Sequence, residues 1–309
     1  MTDMPARLAS LRSLLPTLDS TLRTFTNSTS KFHIVRTINP TPTQPRTLYI
    51  LDSSFNPPSR AHLSLATSAL KKQLGGEAKP LRLLLLFSTH NADKAPSPAS
   101  FVQRIALMSI FAEDVLSSLQ TDSLEEADKL SIDIGLAKEP YYTDKSVAIT
   151  AEAPEVYKPP EGERMIHVHL VGYDTLIRFC NPKYYPNHKP PLSALAPFFS
   201  AGHKLRVTQR PFDLNDSSSR EFGTVEEQEA YLQNIKDGGL QSEGFDPAWR
   251  DQIDMVGGTG LGISSTRVRT AAKEGRCDEV GQLCTEGVAA WMRDQELYGE
   301  DASGKKMMG

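Results

Sequence analysis

Two short apolar runs, each followed by a segment with helical spacing, restrict this chain more than any other feature. Thr47-Leu-Tyr-Ile-Leu51 and Leu81 to Phe87 (LRLLLLF) hardly alternate between apolar and polar residues. A strand with one wet face alternates; a nearly continuous run belongs to a strand covered on both faces. Ala61 to Leu74 follow the first run with helical spacing and stop at Gly75-Gly76, a helix terminus by composition. A helix from about Ser100 to Ser118 follows the second, and further strands are expected at Leu130 to Leu136, Met165 to Val171 and Lys204 to Val207. This alternation predicts an α/β fold, a Rossmann-like parallel sheet flanked by helices and joined by right-handed crossovers. Ligands of such sheets bind beyond the carboxyl ends of the strands, so the loops at 52–62 and 88–98 occupy the functional position.

Outside that unit the pattern is looser. The first 25 or so residues read as a helix with Leu8, Leu11, Leu15, Leu18 and Leu22 on one side. Residues 1–46 are expected to form an N-terminal helical extension, interrupted by the short apolar run Phe32 to Val35. Residues 47–298 read as one domain with C-terminal helices. Insertions are expected near 150–164, rich in Pro and Glu, and near 213–245, polar with a helix from Val225 to Ile235. Residues 299–309 are expected to be a flexible tail.

Charge and cysteine content narrow the function classes. A net charge of −4 over 309 residues gives no broad basic surface, so no nucleic-acid partner is expected. No stretch approaches the roughly 18 apolar residues of a membrane span, so no membrane association is expected. Cys180, Cys277 and Cys284 form no CxxC pair and have no His at ligand spacing. They read as reduced thiols of a cytoplasmic or nuclear protein that holds no metal of its own. Arg7, Arg12 and Arg23 give the first helix a faint presequence character, against which Asp3 and Asp19 count. Mitochondrial targeting is the lesser expectation.

Chemistry concentrates in two strings. In Ser54-Phe-Asn-Pro-Pro-Ser-Arg-Ala-His62 a strand ends, a Pro-Pro turn reverses the chain, and His62 falls in the first turn of the next helix. Helix N-termini attract anions through their free amides and dipole. His62 and the Ser59 hydroxyl add hydrogen-bonding groups there. In the second string, Gly257, Gly258, Gly260 and Gly262 precede Ile263-Ser-Ser-Thr-Arg-Val-Arg269. Small residues admit a phosphate close to the backbone, and hydroxyls and arginines can hold it. Neither GxGxxG nor GxxxxGK[ST] is present.

Taken together, the two strings resemble the adenylyltransferase branch of the HIGH-type nucleotidylyltransferase superfamily. Within it the chain is most similar to nicotinamide (nicotinic acid) mononucleotide adenylyltransferases of eukaryotic type, as a diverged fungal-type member. The resemblance runs from about 47 to 298. Asn91-Ala-Asp-Lys94, Arg104-Ile-Ala-Leu-Met108, Val171-Gly-Tyr-Asp174 and the closing Leu297-Tyr298 fall in the family's order. Where the family has Gly before Ser-Phe this chain has Ser53; Ser59 replaces a Thr or His, and Tyr173 a small residue. The family's acceptor-recognition Trp has no counterpart, and Pro140-Tyr-Tyr-Thr143 stands in its place.

The resemblance implies transfer of AMP from ATP to nicotinamide or nicotinic acid mononucleotide (NMN or its acid form). The products are NAD, or its deamido form, and pyrophosphate. Catalysis falls to His62, Lys94 and Arg269. ATP contacts fall to Ser54, Phe55, Ser59, His62, Gly172, Asp174, Ser264, Ser265, Thr266 and Arg269, and acceptor contacts to Asn56, Tyr141 and Tyr142. Mg²⁺ enters as cofactor bound through the ATP phosphates, and homo-oligomerisation is left open. Two alternatives stand beside this reading. One is a nucleotidyltransferase with another phosphorylated acceptor; the other is a diverged protein that binds or hydrolyses ATP in a regulatory role.

Overall fold

The computed structural model describes residues 3–42, 44–71, 79–89, 99–122, 127–210, 222–258 and 263–299. Seven strands form one sheet: β1 (Phe32–Ile38), β2 (Thr47–Asp52), β3 (Leu81–Ser88), β4 (Ser131–Ala137), β5 (Ile166–Gly172), β6 (Lys204–Thr208) and β7 (Ile253–Val256). Their order is β1-β4-β3-β2-β5-β6-β7. Every neighbouring pair is parallel except β1 with β4. The chain therefore starts its parallel sheet in the middle, builds outward through β3 to β4, and returns to the other side of β2 for β5, β6 and β7.

Burial explains the two unalternating runs. Leu48 to Leu51 and Leu83 to Phe87 are buried without interruption, because both faces of the sheet are covered. On one face Tyr49, Leu51, Leu83, Leu85 and Phe87 share a core with α1 (Met4–Asn27), α2 (Arg60–Lys71) and α3 (Phe101–Thr121). The helices α8 (Ser265–Lys273), α9 (Cys277–Leu283) and α10 (Glu286–Asp294) add to that core. On the other face Leu48, Ile50, Leu84 and Leu86 meet Ala148 and Ile149 of α4 (Tyr142–Glu152). A second core on this side gathers Leu176 and Phe179 of α5 (Tyr173–Phe179), Phe198 and Phe199 of α6 (Ala196–Ser200), and Leu232 and Ile235 of α7 (Val225–Lys236).

The segment before residue 47 contributes more than a helix. Phe32 to Ile38 pair antiparallel with β4, and α1 buries Leu11, Leu18, Leu22 and Phe25. Two of its arginines are committed: Arg7 bonds Glu113 at 3.0 Å and Asp114 at 2.7 Å, and Arg12 reaches Asp294. The Pro/Glu-rich stretch also has an inward part, with Ala153, Tyr157 and Met165 buried. The Tyr157 hydroxyl donates to Oδ2 of Asp133 at 2.9 Å. The same carboxylate accepts from Arg82 at 2.6 and 3.0 Å and from Thr37 at 2.6 Å. Burying a carboxylate is costly unless its lone pairs are filled, and here four donors fill them. Of the segment near 213–245, residues 213–221 lie outside the described ones, and Thr224 with Glu227 forms a capping box on α7. Of the expected tail only Gly299 is described.

Candidate active site

Ladder hydrogen bonding between β2 and β3 runs to Asp52, but β2 and β5 stop pairing at Ile50 and His169. Their carboxyl ends part where the strand order reverses, the place at which open α/β sheets bind ligands. Loop 53–59 leaves β2 there, and Gly172 with Asp174 leaves β5 beside it.

The loop is held from outside itself. Asn56, Pro57, Pro58 and Ser59 are all buried, and prolines have no N–H to give. Buried carbonyls need donors, and the C-terminal helices supply them. Arg269 Nη1 donates to the Asn56 carbonyl at 2.8 Å, the Ser265 hydroxyl to that of Pro57 at 2.9 Å, and the Cys284 thiol to that of Pro58 at 3.4 Å. The Tyr298 hydroxyl donates to Oδ1 of Asn56 at 2.7 Å. The two sequence strings are thus one construction.

Within it the candidates divide. His62 lies in the first turn of α2, with Nδ1 3.0 Å from both the backbone nitrogen and Oγ of Ser59, and Nε2 2.9 Å from Oγ of Ser53. Phe55 has φ of +44° and a fully buried ring 5.4 Å from that of His62. Only its backbone is left to meet a nucleotide, which narrows the expected contact. Ser54 is half-buried. Ser264 caps α8, accepting from the Arg267 amide at 3.2 Å, and Thr266 accepts from Arg269 Nη2 at 3.0 Å. Arg267 turns away to Glu279 at 3.0 Å. Lys94 lies outside the described residues, with the rest of 90–98.

Sequence reasoning gave Arg104 no role. This side chain is 5% exposed, its guanidinium 5.2 Å from the rings of both Phe87 and Phe101, and Nε donates to the Ala99 carbonyl. Neither Arg104 nor Arg269 has a carboxylate partner among the described residues. Burial lowers the pKa of both, that of Arg104 to about 10, where the Arg269 charge adds a smaller push downward. A pair of half-desolvated cations without counter-charge is a place an anion stabilises. Its sequence signal was a lone charge flanked by Val102, Ile105, Leu107 and Met108 in an otherwise apolar helix.

On the β5 side, Gly172 caps α5, and a Cβ there would lie 2.7 Å from Oδ1 of Asp174. Arg210 stands 3.9 Å from that carboxylate. The two tyrosines expected at the acceptor differ. Tyr141 is 43% exposed and 6.0 Å from Tyr185, whereas Tyr142 packs edge-on against His169 and Phe179. Burial and the nearby Asp52 and Asp174 push the Tyr142 phenol well above its usual range. Asp52 itself forms a buried ion pair with Lys145. No group of three or more His, Cys, Asp or Glu among the described residues could hold a metal ion, and no described helix is long and apolar enough to cross a membrane.

Comparison with known proteins adds a relative and distant structures. No family model matches the chain. A Schizosaccharomyces pombe protein, provisionally named a nicotinamide mononucleotide adenylyltransferase, is 34% identical over 233 residues, covering 74% of this chain and 76% of the relative. Among solved structures, Plasmodium falciparum nicotinic acid mononucleotide adenylyltransferase complexed with NaAD aligns over 82% of this chain and 97% of its own, at 12% identity and a TM-score of 0.46. A Vibrio parahaemolyticus protein provisionally named a nicotinate-nucleotide adenylyltransferase aligns over 82% and 95%, at 15% identity and a TM-score of 0.36. Likeness that distant carries neither a residue nor a reaction across. The sequence relationship, which covers about three quarters of each chain, makes the chain a member of the nicotinamide mononucleotide adenylyltransferase family and an enzyme of the nucleotidyltransferase kind.

Proposed function

We propose that the enzyme transfers AMP from ATP to nicotinamide or nicotinic acid mononucleotide and releases pyrophosphate. Family membership supports the acceptor class. The observation that carries the reaction type is the anion site itself. Arg269 grips the proline loop that leads to His62, Arg104 feels its charge, and neither has a carboxylate partner among the described residues. ATP enters as its Mg²⁺ complex, the ion held by phosphate oxygens.

The acceptor phosphate is anionic near neutral pH and attacks the α-phosphorus of ATP without a protein base. Positioning and charge stabilisation supply the rate. His62 and the serines bonded to it serve the α-phosphate. Ser264, the Ser265 backbone amide, Thr266, Arg269 and Arg104 serve the departing pyrophosphate, with Lys94 proposed alongside. Asp174, next to Gly172, serves the adenosine ribose. Tyr141 is exposed and offers a face for the pyridine ring; Tyr142, enclosed, serves as its support. Asn56, held by Tyr298, fixes the entrance to the acceptor.

The test is pyrophosphate and dinucleotide formation from ATP or CTP with a panel of acceptors including both pyridine mononucleotides and phosphopantetheine. Product is expected only from ATP with a pyridine mononucleotide. His62→Ala and Arg269→Ala are each expected to lose on the order of 10²–10³ in kcat/KM. Near-normal rates in both variants, or ATP binding with no dinucleotide from the unaltered enzyme, overturn the proposal.

A further inference from the structure

The inner face of α4 is polar where it meets the parting of β2 and β5. Tyr142, Lys145 and Ser146, at i, i+3 and i+4, share one side of the helix. The Lys145 ammonium, on a side chain 5% exposed, donates to Oδ2 of Asp52, the last residue of β2 and the one before the phosphate loop begins. It lies 5.4 Å from the centre of the Tyr142 ring. Ser146 Oγ meets Nε2 of His169 at 2.9 Å, where pairing between β2 and β5 ends. Further along the helix, Ala148 and Ile149 join the apolar cluster of Leu48 and Ile50.

An isolated buried ion pair is a poor source of stability, because desolvating two charges offsets their attraction and an apolar pair of similar volume often serves as well. What it adds is direction. Apolar contacts tolerate sliding; a charge-assisted hydrogen bond does not. The Lys145 amide donates to the Tyr141 carbonyl at 2.9 Å, and no side chain caps that first turn. The lysine therefore fixes how far the exposed Tyr141 stands from Asp52. The phosphate loop has anchors of its own. The Ser53 amide donates to the Leu86 carbonyl at 3.1 Å, and Arg269, Ser265 and Cys284 hold the carbonyls of Asn56, Pro57 and Pro58. If the ion pair is removed, the start of α4 is the end that moves.

We infer that Lys145 is a positioning residue for the acceptor. Its bond to Asp52 sets the first turn of α4, and with it the face of Tyr141, against the loop that serves the α-phosphate. The inference rests on the adenylyl-transfer reading given above. In-line attack needs the acceptor oxygen about 3–3.5 Å from phosphorus, and a displacement of about 1 Å costs on the order of 10²-fold in rate. Lys145 and Asp52 touch no substrate, and no proton changes hands between them.

Asp52→Leu/Lys145→Met replaces the pair by apolar side chains and leaves no lone buried charge. Asp52→Asn keeps an oxygen for the lysine and removes the opposite charge. Tyr157→Phe, which removes the buried bond to Asp133, is the control for lost stability. Each is made in the full chain, with kcat, KM for ATP, KM for the pyridine mononucleotide that the unaltered enzyme uses, and melting temperature as readouts. The double variant is expected to lose about 10- to 100-fold in kcat and to raise KM for the acceptor about tenfold, with KM for ATP within about threefold. Asp52→Asn is expected to move kcat and acceptor KM the same way by about 3- to 10-fold, and Tyr157→Phe to move neither. Values of both constants within about twofold of the unaltered enzyme in the double variant overturn the inference, as does a loss that falls on KM for ATP. If the double variant shows no cooperative melting, the same two criteria applied to Asp52→Asn decide. An unaltered enzyme that forms no dinucleotide with either pyridine mononucleotide overturns the adenylyl-transfer reading instead, and the role of Lys145 falls with it.

Discussion

The hydroxyl of Tyr298 stands 2.7 Å from Oδ1 of Asn56, with both residues buried, and burial pushes the phenol's ionisation upward. Replacing Tyr298 by Phe removes one donor and leaves an amide oxygen without it, a change that costs about 1–3 kcal/mol at a buried site. The Tyr298→Phe protein is expected to unfold at lower temperature and to show a raised KM for the acceptor, measured by calorimetry and steady-state rates. An unchanged melting temperature would show that Asn56 finds another donor. Residues at this scale were legible unevenly. His62, Ser264 and Arg269 stand in short strings whose chemistry is local, so the strings alone pointed to them. The partners of those strings were not legible. Asn56 meets Tyr298 across 242 positions and Pro58 meets Cys284 across 226, and no periodicity encodes a pairing of that kind. Phe55 misled for the opposite reason: it sits inside a phosphate-binding string, yet its side chain serves the core.

At the level of elements, the strands with two covered faces declared themselves, because continuous burial leaves a continuous apolar run. The edge strand β1 did not. It is mostly half-buried, so Phe32 to Val35 gave only a short apolar signal. The stretch after α4 concealed its inward residue among prolines and glutamates. Tyr157 fastens that stretch to the sheet by sharing Asp133 with Arg82 and Thr37. Asp133→Ala would strand a buried guanidinium and is expected to destabilise the protein by about 3–5 kcal/mol. Tyr157→Phe leaves the ion pair intact and is expected to cost about 1 kcal/mol. Denaturant midpoints of the two variants test the difference; equal losses would mean that the tyrosine, and not the ion pair, carries the attachment.

Across the whole molecule, stability is tied to pH through three histidines on β5 and just before β6. The rings of His167 and His203 stack at 4.2 Å, His169 lies 6.3 Å from His167, and its Nε2 meets Ser146 Oγ at 2.9 Å. Neither ring nitrogen of His167 has a hydrogen-bond partner among the described residues. Burial, then the neighbouring histidines and Lys145, hold the pKa of His167 and His169 well below 6.5; burial alone takes His203 to about 4. In the unfolded chain these rings take up protons near 6.5, and in the folded one they resist. Stability is therefore full above pH 6.5 and is lost as pH falls from there toward about 4, at about 1.4 kcal/mol per pH unit for each histidine in its window. Urea midpoints are expected to fall from pH 7.5 through 6 to 5, and less steeply in His203→Gln. Midpoints that do not move over that range would show that the cluster already carries its protons.

Synthesis of the chain exposes a consequence of the clamp on Asn56, Pro57 and Pro58. The groups that meet their carbonyls come 213, 208 and 226 positions later. At ribosomal speeds of about 5–20 residues per second, the loop waits roughly 10–45 s for them. The central strands can pair during that interval, while the loop's carbonyls remain bonded to water. The phosphate site is thus among the last parts of the molecule to exist, and a nascent chain released before residue 265 would carry the sheet without the means to hold its nucleotide.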